Sequence, residues 1–202
     1  MPEKGDLVRR FVVMGHRAIT SADFKLDDLC GSTGRLDILL RCVNSAFFLS
    51  HGIRKDVEIV LMLLGEPNPP RTIRIDGSEV KYLNPDERST AALIRNALLQ
   101  KGEGERRCSP GIYVSERDYR EVFSNISKES KMHYLKEDGE DIRGTQFGPD
   151  STFVLGDDQD LTDTEEEILM DYEPRKLSLG PISYHADHCI TLVNNELDRK
   201  GL

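Results

Sequence analysis

The sequence predicts an α/β fold, a mainly parallel sheet with helices on both faces. Two observations carry that expectation. Short runs rich in Val, Ile and Leu alternate with amphipathic helical stretches along the chain, and glycines follow the late runs where strands would end. At 202 residues the chain lies below the roughly 250–300 at which a single core stops growing, so one domain over 1–202 is expected.

Val8 to Met14 reads as the first strand. Leu36 to Phe48 reads as a helix, because Leu36, Leu39, Leu40, Val43 and Phe47 recur at helical spacing and leave Asp37, Arg41 and Asn44 on the opposite side. A strand over Val57 to Leu64 follows. Arg71 to Tyr82 reads as a hairpin at an edge, with Asp76-Gly77 supplying its tight turn. Asn84-Pro85-Asp86-Glu87 signals a helix start, Asn84 as cap and Pro85 in the first position, ahead of a helix over Arg88 to Gln100. Lys101 to Arg107 is a charged loop. Ile112 to Val114 then reads as a strand and Arg117 to Ile126 as a helix. Met132 to Leu135 and Thr152 to Leu155 are short buried strands, Thr162 to Tyr172 a helix, and Lys176 to Leu179 a strand. The last helix, His185 to Lys200, buries Ala186, Ile190, Val193 and Leu197.

The net charge of −9 argues against nucleic-acid binding until its distribution is read, since phosphate contacts need Lys and Arg. Nine acids and no base fall between Asp157 and Glu173; with those nine set aside, 27 acids face 27 Lys plus Arg. The remainder is neutral and has room for a local basic face. The acidic run itself reads as a solvated helix face carrying Glu165-Glu166-Glu167. No apolar run approaches the roughly 18 residues of a membrane span, and Met1 to Lys4 lacks the features of a secretory signal, so a soluble cytoplasmic protein is expected. Cys30, Cys42, Cys108 and Cys189 contain no CxxC pair and read as free thiols.

Common nucleotide signatures are missing: Gly102-Glu-Gly104 lacks the third glycine of GxGxxG, and no Walker sequence occurs. Glycines instead follow three late strands, Gly139, Gly156 and Gly180, which suggests one shared pocket at the C-terminal strand ends. At Gly180-Pro181 a strand breaks just before a helix. Glycine there admits a ligand to the backbone, and the helix start brings unpaired N–H groups. His185, Asp187, His188 and Cys189 are competent metal ligands, but structural zinc needs four convergent ligands. Asp187 reads more simply as a first-turn acid and Cys189 as a thiol lining an apolar pocket. His16 and His51 fit no pattern. Gly31-Ser-Thr-Gly34-Arg35 is a glycine-rich entry that would project Arg35 and Asp37 into a cleft; the alternative pairs Asp37 with Arg41 on the helix surface.

The segments FKLDDL, GRLDILLRCVNSAFFLSH, NPDERSTAALIR, SPGIYVS, YLKEDGEDI, FVLGD and LGPISYHADHCITLVNNELDR run through nearly the whole chain, from about Arg9 to Arg199. Together they closely resemble the SPOUT (α/β-knot) methyltransferases, specifically the archaeal tRNA pseudouridine N1-methyltransferase family known as TrmY. The resemblance implies a C-terminal trefoil knot, S-adenosylmethionine as methyl donor, and a homodimer. It also implies the tRNA T-arm as partner, methylated at N1 of pseudouridine 54, with no DNA or membrane partner. Position by position, it implies that Leu135, Gly156, the loop Leu179-Gly180-Pro181-Ile182 and Cys189 hold the cofactor and that Arg35 and Asp37 face the target base. Tyr184 stands where an apolar residue is expected, and Met1 to Leu7 has no recognised counterpart. Two other readings stay open: a ribosomal RNA pseudouridine N1-methyltransferase, and a non-catalytic RNA-binding or assembly protein of the same fold.

Overall fold

A computed structural model describes residues 8–202; the N-terminal residues 1–7, and the expectations that fall on them, lie outside the described part. In chain order the elements are β1 (Arg9–Gly15), α1 (Leu36–Phe47), β2 (Phe48–Leu49), β3 (Gly52–Ile53), β4 (Val57–Leu63), β5 (Arg71–Asp76) and α2 (Glu87–Leu98). There follow β6 (Arg106–Ser109), β7 (Ile112–Ser115), α3 (Tyr119–Ile126), β8 (Lys131–Asp141), β9 (Ser151–Gly156), α4 (Asp163–Met170), β10 (Arg175–Ser178) and α5 (Ala186–Lys200). Strands β2 and β3 form a small hairpin, and the other eight form one sheet in the order β10-β8-β9-β1-β4-β5-β7-β6.

The five strands from β10 to β4 are parallel, as expected, while β5, β7 and β6 extend the sheet antiparallel. Strand alternation sorts the side chains into two layers. Phe11, Val13, Ile59, Leu61, Phe153 and Leu155 pack with α1, α2 and α5. Val12, Met14, Val60, Met62 and Val154 face α3 and α4. Each such side chain is fully or almost fully buried, and burial is worth about 1.5–3 kcal/mol apiece. Double-sided burial is why β1 and β4 read as continuous apolar runs.

Three local expectations are corrected. Arg71 to Tyr82 is not a hairpin: only β5 is a strand, and it lies inside the sheet between β4 and β7 because Ile73 and Ile75 have core to fill on a strand paired along both edges. The cap of α2 is Asp86 and not Asn84, since the Asp86 carboxylate accepts from Ser89 N at 2.7 Å. The acidic run is only partly solvated. Glu165 is buried, closing a capping box with Thr162, and Glu166 bonds Lys136 and Lys176 at 2.9 and 2.7 Å.

The parallel strands end together, with Gly15 opposite Leu63 and Met14 opposite Gly156. Beside them β10 follows β8 from Arg175 opposite His133 to Lys176 opposite Tyr134, then jumps so that Leu177 faces Glu140. Residues 135–139 bow out between these two stretches. Gly139 closes the crossing, since a β-carbon there would sit 2.6 Å from the Leu177 backbone; it is therefore inside β8 and not at a strand exit. The C-terminal segment then turns back and α5 packs on α1, held by buried Arg9, whose guanidinium meets Asp198 at 2.8 Å.

Candidate active site

A cavity of about 390 Å³ opens between the bowed middle of β8 and the C-terminal ends of β9 and β10, beside the start of α1. Leu135, Gly156, Leu179, Gly180, Ile182 and Cys189 line it, drawn from three segments distant in sequence, and Arg35 joins them from a fourth. Pro181 does not line it; the residue is exposed on the outer side of the turn. Asp37 does not line it either.

Each of the two glycines also meets a constraint of the backbone itself. At Gly156 a β-carbon would lie 1.9 Å from the Gln159 carbonyl, so this glycine lets the chain fold tightly over its own turn. Gly180 has φ 153°, a conformation that L side chains rarely adopt, and its α-carbon packs near the Tyr184 ring, 3.3 Å from where a β-carbon would be. Tyr184 itself lines the cavity and is 39% exposed, so its ring lies against the loop without being buried by it.

Asp37 pairs with Arg41 at the i,i+4 spacing the sequence offered, but inside the fold and not on its surface. It is 4% exposed, and its carboxylate accepts from Arg35 Nε at 3.0 Å, Arg35 Nη2 at 3.2 Å and Arg41 Nη1 at 2.9 Å. Burial alone would raise its pKa, but the Arg35 and Arg41 hydrogen bonds outweigh burial and hold it below the usual carboxylate range. Both guanidiniums line the cavity, so Asp37 works from behind them. Arg35 has the left-handed conformation, φ 70° and ψ 31°, directly before α1, which directs its side chain back toward Asp37.

The Cys189 thiol, in the first turn of α5, is pushed up to about 11 by burial and then by nearby Glu137 and Asp187. It stays neutral at physiological pH, which suits a wall and not a nucleophile. His185 precedes α5 without a side-chain cap, and both His185 and Ala186 line the cavity. The rim carries Glu137, Asp158 and Asp160.

His16 was unreadable in the sequence. It follows β1 directly, its Nδ1 3.1 Å from Asp157 and its Nε2 2.9 Å from Glu165, and its backbone N–H also reaches Asp157 at 3.1 Å. The Asp157 and Glu165 hydrogen bonds raise its pKa to about 9 against the opposing effect of burial. The signal was the pair of strand ends: once β1 and β9 are known to be neighbours, His16 and Asp157 must adjoin.

A family model described as SAM-dependent RNA methyltransferase matches residues 8–202. A Methanocella arvoryzae protein named tRNA (pseudouridine(54)-N(1))-methyltransferase is 51% identical over 196 residues, covering 96% of this chain and 100% of that protein. A Haloarcula marismortui protein of the same name is 44% identical over 198 residues, covering 96% and 98%. Among solved structures, Archaeoglobus fulgidus Nep1 bound to S-adenosylhomocysteine superposes with TM-score 0.62 at 14% identity, covering 96% of this chain and 98% of that one. That likeness is one of fold, a mainly parallel sheet covered by helices on both faces.

Proposed function

Because this chain belongs to the SAM-dependent RNA methyltransferase family, we infer that it transfers a methyl group from S-adenosylmethionine to N1 of pseudouridine 54 in tRNA. The observation that carries this reading beyond the family is the convergence of Leu135, Gly156, Leu179, Gly180, Ile182 and Cys189 with two arginines around one cavity. Its volume suits a nucleoside-sized ligand. The lining suits the cofactor too: leucines for an adenine face, and Glu137 and Asp160 as a complement to a cationic sulfonium and ammonium. We assign those six residues to the cofactor and leave Pro181 to shape the turn.

The cofactor supplies an already activated methyl group, so no covalent enzyme intermediate is needed. The protein must orient the base, favour departure of the N1 proton, and keep the acceptor in line with the donor. Arg35 and Arg41 at the cavity wall favour the deprotonated imide by placing positive charge where negative charge develops. Asp37 holds both guanidiniums in place, and its carboxylate is occupied on both oxygens; we therefore assign it positioning, and the N1 proton leaves to solvent water. Mass spectrometry of tRNA nucleosides from cells with and without the gene tests the assignment, with loss of N1-methylpseudouridine expected.

At a finer level we propose a cytoplasmic homodimer. Exposed Leu49 and Leu192 offer apolar surface for a second subunit, and dimers are the commonest closed oligomer. Among the described residues no helix is long and apolar enough to cross a membrane. Light scattering reads the subunit count directly.

A further inference from the structure

We propose that Arg17 and Arg35 form a phosphodiester site for the RNA backbone beside the target base, and that the Asp158 carboxylate occupies this site in the free protein. The inference rests on the RNA methyltransferase reading and extends it to a residue outside the cavity wall.

One carboxylate oxygen is shared by two guanidiniums from separate loops. Arg17 Nη2 lies 2.5 Å from Asp158 Oδ2, and Arg35 Nη1 lies 3.7 Å from the same atom. Arg35 gives its Nε and Nη2 to Asp37, which leaves Nη1 facing outward. Among the described residues the Arg17 guanidinium has no other partner, and half its side chain is exposed. Two arginines converging on one anion is the donor geometry that phosphate oxygens take, and a single monovalent carboxylate fills it only in part.

The pair is built into the backbone. A β-carbon at Gly34 would sit 1.7 Å from the Arg17 carbonyl, and one at Gly65 would sit 2.2 Å from it, so both segments press directly on Arg17. Ile19 N donates to Thr33 O at 2.9 Å and Gly65 N to Ala18 O at 3.0 Å, which locks the turn after β1 between them. Gly34 and the left-handed Arg35 therefore lie back to back with Arg17. Position matters as well. Arg35 and Asp158 line the cavity, so a phosphate held here belongs to a nucleotide whose base can enter it. In a chain of net charge −9, capture of RNA needs such concentrated cationic points, and a carboxylate placeholder keeps this one from adventitious anions.

The test uses the full chain loaded with S-adenosylhomocysteine and a pseudouridylated tRNA transcript, titrated by fluorescence anisotropy between 50 and 200 mM salt. Arg17→Gln is expected to weaken RNA binding about tenfold, to flatten the slope of log affinity against log salt by about one, and to leave S-adenosylhomocysteine affinity unchanged by calorimetry. Asp158→Asn is expected to tighten RNA binding severalfold, a gain that disappears in the Arg17→Gln background because both act on one site. RNA binding by Arg17→Gln equal to wild type, or a loss of S-adenosylhomocysteine affinity in its place, overturns the site. If wild type supplied with S-adenosylmethionine methylates the transcript and Arg17→Gln matches it in methylation and in RNA binding, this inference alone fails; if wild type neither binds the transcript nor methylates it with S-adenosylmethionine, the functional reading falls and this site with it.

Discussion

His16 Nε2 lies 2.9 Å from Glu165, joining the residue after β1 to the first turn of α4, while the other ring nitrogen reaches Asp157 at the exit of β9. The two carboxylates hold the imidazole protonated, with a pKa near 9 in the folded chain against 6.5 unfolded. Protonation therefore favours the folded state, fully below about pH 6.5, and the benefit is lost as pH rises through 9. His16→Gln should destabilise the protein by about 1–3 kcal/mol at pH 6 and by much less at pH 10. Urea unfolding at both pH values measures it; an equal loss at both would show that the charge is irrelevant.

His133 behaves in the opposite sense. Its ring stacks on Phe153 at 5.1 Å and meets the edge of Phe147 at 5.2 Å, and neither nitrogen has a partner. Burial, then nearby Lys131 and Arg175, push its pKa down to about 4. As pH falls from about 6.5 toward 4 the unfolded chain binds the proton first, so stability drops across that window and is unaffected above it. His133→Phe should flatten this acid limb and, by removing two unsatisfied ring nitrogens, raise the melting temperature at pH 7 by about 2–4 °C. Calorimetry at pH 4.5 and 7 decides; an unchanged acid limb counts against it.

The buried strands and helix faces were legible because their patterns are local: Phe11, Val13 and Val12 alternate between layers, and Leu36, Leu39 and Leu40 share a helix face. Strand neighbours were not legible, and the misreadings follow from that. Arg71 to Asp76 alternates as an edge strand would, yet β7 covers its outer side, and only pairing reveals this. Gly156 and Gly180 stand out in the sequence as strand exits, whereas the constraints that Gln159 and φ 153° place on them show only in three dimensions. The sequence leaves Asp37 open between a surface pair with Arg41 and a cleft-facing group beside Arg35; the structure bonds it to both arginines, one from the preceding loop and one from the next turn, and buries it behind them.

The Gly180 backbone makes substitution there a poor probe, since any side chain strains the loop whatever the cavity holds. Cys189 is the cleaner position, being half-buried in the first turn of α5 with its thiol at the wall. Cys189→Phe should fill the cavity and weaken S-adenosylmethionine binding at least about tenfold with the helix intact. Titration calorimetry beside circular dichroism measures both. Wild-type affinity in a folded Cys189→Phe variant would move the cofactor elsewhere.

Asp37→Asn keeps one acceptor for the arginines and presents an amide donor toward the other, so one guanidinium should lose its anchor. Misplacing a positioning group by about an ångström costs on the order of a hundredfold, and that loss should appear in kcat with S-adenosylmethionine affinity retained. The pH–rate profile separates the roles. A positioning Asp37 leaves the shape of the profile intact in the variant, whereas removal of a proton acceptor would abolish its acid limb.

The substrate prediction follows from which atom is free. In uridine N1 forms the glycosidic bond, while in pseudouridine the sugar is attached through carbon and N1 carries a removable proton. A tRNA transcript with uridine at position 54 should therefore be inert, and the same transcript first converted to pseudouridine should accept one methyl group per molecule. Arg35→Lys should lower transfer to the converted transcript by about tenfold or more, because an ammonium cannot reproduce the two-nitrogen contact that fixes Arg35 against Asp37. Mass spectrometry of the digested transcripts reads all three outcomes. A methyl group on the uridine transcript would end the N1 assignment, and full activity in Arg35→Lys would show that charge alone, without the fixed geometry at the cavity wall, suffices for the reaction.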